Sequence, residues 1–261
     1  MFRKRVLACL MLGLVLAIPL AAAGCSVVTG SGELATWDMV YTDFDEIEVG
    51  SAFEVEVSRA DSFLVRITID KKLYEYLDID QRGHTLRIRL KPNHIYTDTT
   101  QRAIVTLPDL QRLELSGASE ADVSGFSVTH SLDFELSGAS RMELGHTIAG
   151  DSKFSLSGAS KVNGYIETDN GRFEVSGASQ LTLKGNADNI DIEASGASDV
   201  TLPEFAVLTA DVNLSGASDA VINVADSMDV HLSGGSELEY IGTPRLGELD
   251  VSGGSTLDRR E

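Results

Sequence analysis

The chain has 261 residues, 43% of them hydrophobic but only 6% aromatic, and 40 acidic against 21 basic side chains give a formal charge of −19. That acidity disfavours nucleic acid and anionic membrane surfaces as partners, and no nucleic acid is expected. The two cysteines, Cys9 and Cys25, both lie near the start, so a mature domain has neither a structural disulfide nor a cysteine metal site.

In chain order, Arg3, Lys4 and Arg5 precede an uncharged apolar stretch from Val6 to Ala23 and then Gly24-Cys25. A basic flank, an apolar core and small terminal residues predict a secretory signal over residues 1–24. Ala22-Ala23-Gly24-Cys25 resembles a bacterial lipobox, which implies that Cys25 carries a lipid and holds the chain to a membrane. Ala22 stands where such sites prefer Leu, and cleavage after Ala23 by the ordinary signal peptidase is the alternative. Residues 25–36, small and polar, read as a lipidated tether.

Residues 37–112 read as a less regular β portion continuous with the repeat stack. Strand signatures fall on Phe44 to Val57, Phe63 to Ile69, Thr85 to Leu90 and Ala103 to Leu107. Gly50-Ser51-Ala52 looks like a degenerate form of a corner that recurs in the second half of the chain, and Lys71 to Leu77 has room for one or two helical turns. This portion is expected to cap one end of the stack, because an open solenoid end exposes strand edges.

From residue 113 to 258 one phrase dominates. Ser-Gly-Ala-Ser occurs six times and Ser-Gly-Gly-Ser twice, beginning at Ser116, Ser137, Ser157, Ser176, Ser195, Ser215, Ser233 and Ser252. Intervals of 18 to 21 residues match one coil of a solenoid. The positions one and three before each phrase are apolar in every copy, as in Leu156 and Phe154, with mostly polar residues between them. Apolar residues recur at the second place after the phrase, from Ala121 and Met142 to Leu257. Alternation with period two on both sides of a glycine gives strand, tight corner, strand and a looser return. Stacked coils pair their strands in parallel at about 4.8 Å. The predicted class is all-β, a right-handed parallel β-helix similar to pectin lyase-like folds.

The chemistry-bearing residues are sparse. His84, His94, His130, His146 and His231 show no metal-ligand spacing, and no metal or cofactor is expected. Gly117-Ala118-Ser119-Glu120-Ala121 lacks the second glycine of a nucleophile elbow, so the serines read as corner residues and no catalytic group is assigned. Glu114, Glu135, Glu174, Glu193 and Asp250 occupy one outward position of the repeat. They form a candidate face for a cationic ligand or divalent cations, with Asp122, Glu143 and Asp199 as expected neighbours.

The leader, Gly30 to Gly32, Phe44-Asp45-Glu46-Ile47, Leu107-Pro108-Asp109-Leu110, and Leu113-Glu114-Leu115-Ser116-Gly117-Ala118 with its iterations together resemble one bacterial family. It is the putative auto-transporter adhesin, head GIN domain family. The resemblance covers roughly Phe44 to Glu239 and implies a β-helix without pectin lyase catalytic residues and a role in cell adhesion. The expected protein is a non-enzymatic lipoprotein of the cell envelope that binds a glycan or protein ligand, with homo-oligomers open to it. A sensory or structural envelope module and a carbohydrate-active enzyme are the alternatives.

Overall fold

A computed structural model describes residues 26–260. The signal segment and the lipidation assignment at Cys25 lie outside the described residues. Within them, no helix is long and apolar enough to cross a membrane.

The chain is all-β and winds into a parallel β-solenoid of about seven turns. Its N-terminal portion contains β1 (Ser26–Thr29), β2 (Leu34–Met39), β3 (Glu46–Val49), β4 (Glu54–Arg59) and β5 (Leu64–Asp70). A 3-10 helix over Lys71–Tyr76 leads into β6 (Leu77–Arg82), β7 (Thr85–Leu90), β8 (His94–Thr97) and β9 (Gln101–Leu107). The regular coils begin with β10 (Arg112–Leu115), β11 (Glu120–Ser124), β12 (Leu132–Leu136), β13 (Arg141–Ile148) and β14 (Asp151–Leu156). In β15 (Lys161–Val175), β16 (Gln180–Ala194), β17 (Asp199–Leu214) and β18 (Asp219–Leu232) the return is drawn into the strand, so one strand spans nearly a whole coil. The last turns are β19 (Glu237–Ile241), β20 (Arg245–Val251) and β21 (Thr256–Arg259).

Strands that precede the corners form one parallel ladder, from β3 through β10, β12 and β14 to the later halves of β15–β18 and then β20. Strands that come after the corners form a second, from β4 through β11 and β13 to β19 and β21. Register is kept by the apolar columns inside. Leu113, Phe134, Phe154, Phe173, Ile192, Val212 and Val230 stack with none of their surface exposed. Phe154 meets Phe134 at 4.9 Å between ring centroids and Phe173 at 5.7 Å. Side chains fill the interior as a packed core.

The corners are themselves a ladder. Ser176 N donates to Leu156 O, Ala178 N to Gly158 O and Gln180 N to Ser160 O, and equivalent bonds recur along the rod. Gly158, Gly177, Gly196, Gly216 and Gly234 hold φ between +77° and +83°, where glycine alone is unstrained. A Cβ on any of them would fall 2.3–2.6 Å from the carbonyl oxygen of the glycine below. The phrase's last serine turns inward: Ser119, Ser140, Ser160, Ser198, Ser218 and Ser236 are buried, and each hydroxyl donates to the carbonyl three residues back. That bond gives the turn's carbonyl a side-chain donor within the corner.

The N-terminal portion continues the stack and then closes it. Ala52 N donates to Gly117 O, so Gly50-Ser51-Ala52 sits directly in the file of corners. Beyond β3 and β4 the parallel partners are β7 and β9. Antiparallel strands then take over, β6 against β7 and β2 against β5 against β9. The 3-10 helix crosses this end with Leu73 buried. One boundary is corrected. The tether read over residues 25–36 is folded in its described part, because β1 pairs with β8 and Leu34 to Thr36 already belong to β2. The buried Asp70 carboxylate fixes the turn between them, accepting from Ser31 N at 2.5 Å, Ser31 Oγ at 2.8 Å and Gly32 N at 2.7 Å. Small polar residues here are ligands of a carboxylate rather than slack chain.

Candidate functional site

The outward side of the first ladder carries two columns. Nearer the corner, Glu114, Glu135, Ser155, Glu174, Glu193, Asn213, His231 and Asp250 are consecutive register partners. The five acidic residues singled out in the sequence therefore share a single file, four toward its lower half and Asp250 at its far end. Beside it, Arg112, Asp133, Lys153, Arg172, Asp191, Asp211 and Asp229 form the second column.

The second column explains how the first tolerates carboxylates stacked one strand apart, an arrangement that repels when unpaired. Arg112 reaches Glu114 at 3.2 Å and Glu135 at 2.7 Å. Arg172 bridges Glu174, Asp191 and Glu193 at 2.7, 2.7 and 2.8 Å, and Lys153 adds a contact to Glu174 at 3.3 Å. The hydrogen bond from Arg172, working against burial and aided by Ser155 and Lys153, holds the Glu174 carboxyl below its ordinary value. Glu114 is shifted upward, first by burial and then by the neighbouring Glu48 charge. Asp211 and Asp250 have no ion-pair partner among the described residues. Also among the described residues, no group of three or more His, Cys, Asp or Glu side chains converges to hold a metal ion. Over Glu114 to Glu193 the candidate cation face is lined by the protein's own Arg112, Lys153 and Arg172, which pair with its carboxylates.

Asp122, Glu143 and Asp199 do not join this face. They lie on β11, β13 and the start of β17, in the second ladder, because the corner redirects the chain before they are reached. Two long shallow grooves border the acidic columns. One, of about 610 Å³, runs along the corner side and is lined by Glu135, Ser155, Glu174, Glu193 and the phrase serines. The other, of about 790 Å³, runs along the return side past Lys153, Arg172, Asp191 and Asp211. In it an amide ladder climbs the rod: Asn170 Nδ2 donates to Asp151 at 2.7 Å, Asn189 Nδ2 to Asn170 at 2.9 Å, and Thr209 Oγ1 to Asn189 at 2.6 Å. Local sequence pattern marks these asparagines only as loop residues. Their spacing of 19 residues, equal to the local corner interval, is the signal that they stack.

The face is polar and repetitive, and Arg112, Lys153 and Arg172 partly offset the carboxylates of its lower half, on a rod with a filled interior. Six of the inward serines, Ser119, Ser140, Ser160, Ser198, Ser218 and Ser236, have committed their hydroxyl protons to backbone carbonyls and lie out of solvent, a poor state for a nucleophile. These features define a β-solenoid with a repetitive polar face, of an adhesin-like family. The chain belongs to the putative auto-transporter adhesin, head GIN domain family, whose model matches residues 43–244. Among solved structures it is similar to a putative adhesin from Parabacteroides merdae, with a TM-score of 0.84 and 19% identity, covering 90% of this chain and 100% of that one. A putative lipid binding protein from Parabacteroides distasonis superposes with a TM-score of 0.85 at 20% identity over the same shares. A putative adhesin from Bacteroides fragilis gives 0.70 at 15% identity, covering 89% of this chain and all of that one. At these identities the structures speak for the fold. None of the curated proteins is significantly similar to this chain.

Proposed function

We propose that this chain is a non-catalytic binding module of the bacterial cell envelope, held to a membrane through Cys25. Its first-ladder face meets a polar glycan or protein ligand. The carrying observation is the pair of register-aligned polar columns flanked by two grooves. Outward carboxylates, amides and hydroxyls repeat at the strand spacing of about 4.8 Å. Such a surface suits a long ligand with many hydroxyl or amide groups, which gains affinity by adding weak contacts along its length. The adhesion-type family supports the same reading.

The test has two parts. Incorporation of labelled fatty acid by the wild type, lost in Cys25→Ser, checks the anchor. Glycan-array and cell-surface binding by the protein, weakened about tenfold in Asn189→Leu but unchanged in Thr201→Leu on the second ladder, checks the face. Release of oligosaccharide fragments from any bound glycan would replace this reading with an enzymatic one.

A further inference from the structure

Exposed apolar side chains lie at both ends of the stack, Leu246, Leu249 and Val251 at the distal end and a second group on the N-terminal cap. Val27 is 62% exposed, Ile95 50%, Tyr74 53% and Leu34 46%. Val27 and Ile95 are register partners across β1 and β8, so they form one patch rather than scattered sites. Aromatic rings crowd the same end: Trp37 packs on Tyr74 at 4.7 Å between centroids, and Tyr76 lies 5.9 Å from Tyr96. Trp and Tyr with one apolar and one wet side favour the headgroup layer of a bilayer.

Charge separates the two ends only by degree. Residues 26–107 contain nine basic and fourteen acidic side chains, whereas residues 201–261 contain three basic and eleven acidic ones. An anionic bilayer repels the distal end more strongly than the cap, so the seating must rest on apolar contact and the anchor.

Covalent continuity decides the occupant. Ser26 is already the first residue of β1, paired with His94, and Ser26 Oγ lies 2.5 Å from His94 Nδ1. Cys25 is its immediate neighbour, and one residue spans at most about 3.6 Å. A lipid on Cys25 therefore holds the bilayer close to Val27 and Ile95, with no slack tether to hold it away.

We propose that the N-terminal cap, through Val27, Ile95 and the Trp37–Tyr74 pair, seats in the headgroup layer of the membrane that holds Cys25. This rests on the anchored reading given under the proposed function. Trp37 is the chain's one tryptophan, so its emission reports on this surface alone. The experiment takes the full chain, purified with its lipid, into vesicles of phosphatidylcholine and phosphatidylglycerol with brominated or ordinary acyl chains. Flotation reads anchoring, and quenching of Trp37 reads seating. The expected result is flotation with at least a twofold loss of emission in the brominated vesicles. The double variant Tyr74→Ser/Ile95→Ser should still float but lose most of that quenching, while Leu246→Ser/Leu249→Ser at the far end should keep it. Flotation without quenching overturns the seating and leaves the anchor standing. Failure to float overturns both. Quenching that persists in the Tyr74→Ser/Ile95→Ser protein overturns the assignment of these residues.

Discussion

Gly234 and Gly235 are adjacent, yet alanine should act on them in opposite directions. Gly234 has φ +82°, and a Cβ there would sit 2.5 Å from Gly216 O. The left-handed conformation alone costs a residue with a Cβ about 1–2 kcal/mol. Relief of the overlap must push the corner off the coil beneath, weakening the bond from Gly235 N to Gly216 O, now 2.7 Å long. A weakened hydrogen bond adds about 0.5–1.5 kcal/mol. The total for Gly234→Ala is about 1.5–3.5 kcal/mol. Gly235 lies outside the left-handed region and its added Cβ would be 3.9 Å from the nearest atom. Removing its unfolded-state freedom should stabilise the protein by about 0.4–1 kcal/mol. Equilibrium urea unfolding reads both changes, as a midpoint lowered by about 1 M for Gly234→Ala and slightly raised for Gly235→Ala. Equal effects at the two positions, or a cost below about 1 kcal/mol at Gly234, would refute the tight vertical contact between corners.

Phe154→Ala, which removes the middle ring of the buried column, should cost about 3–5 kcal/mol by the same measurement. Glu114→Gln should raise the melting temperature slightly at pH 7. The upward shift of Glu114 means that its charged form opposes folding above that pKa, so the gain should fade as the pH falls and the wild-type carboxyl protonates. Asp70 behaves in the reverse sense: burial pushes its pKa up, but donation from Lys72 N, Ser31 and Gly32 N outweighs this and holds it below the ordinary value. Its stabilisation is complete above the unfolded pKa near about 3.9 and is lost as the pH drops through the folded value. Asp70→Asn, which faces amide donors with an amide, should loosen the cap by about 1–3 kcal/mol, seen as an early Trp37 fluorescence transition.

The regular coils were legible because a single constraint writes them repeatedly. Each lap must place Phe154-like and Leu156-like residues inward and a glycine at the bend, so spacing alone revealed both ladders and the file of Glu114, Glu135, Glu174, Glu193 and Asp250. Charge compensation was less visible. Arg112, Lys153 and Arg172 recur at one position but alternate with aspartates, and their reach across to the neighbouring column depends on side-chain geometry. The cap was hardest, since its strands are short and each occurs once. In β6, Asp78 and Asp80 face Arg89 and Arg87 across an antiparallel pair, so its polar residues are matched by a partner strand rather than by a repeat. β1 depends on β8, 68 residues away, and no local pattern announces that pairing.

Paired spin labels test the stacking most directly, in a protein whose native Cys9 and Cys25 are replaced by serine. A label at Ala139 is combined in turn with one at Ala217, Gly235 or Gly254, which lie four, five and six corners along the rod. Coils laid one on another predict backbone separations of about 19, 24 and 29 Å, rising by one strand spacing per corner. Distances that fail to rise in equal steps would show that the corners do not form a file, and the binding face built on that file would be lost with it.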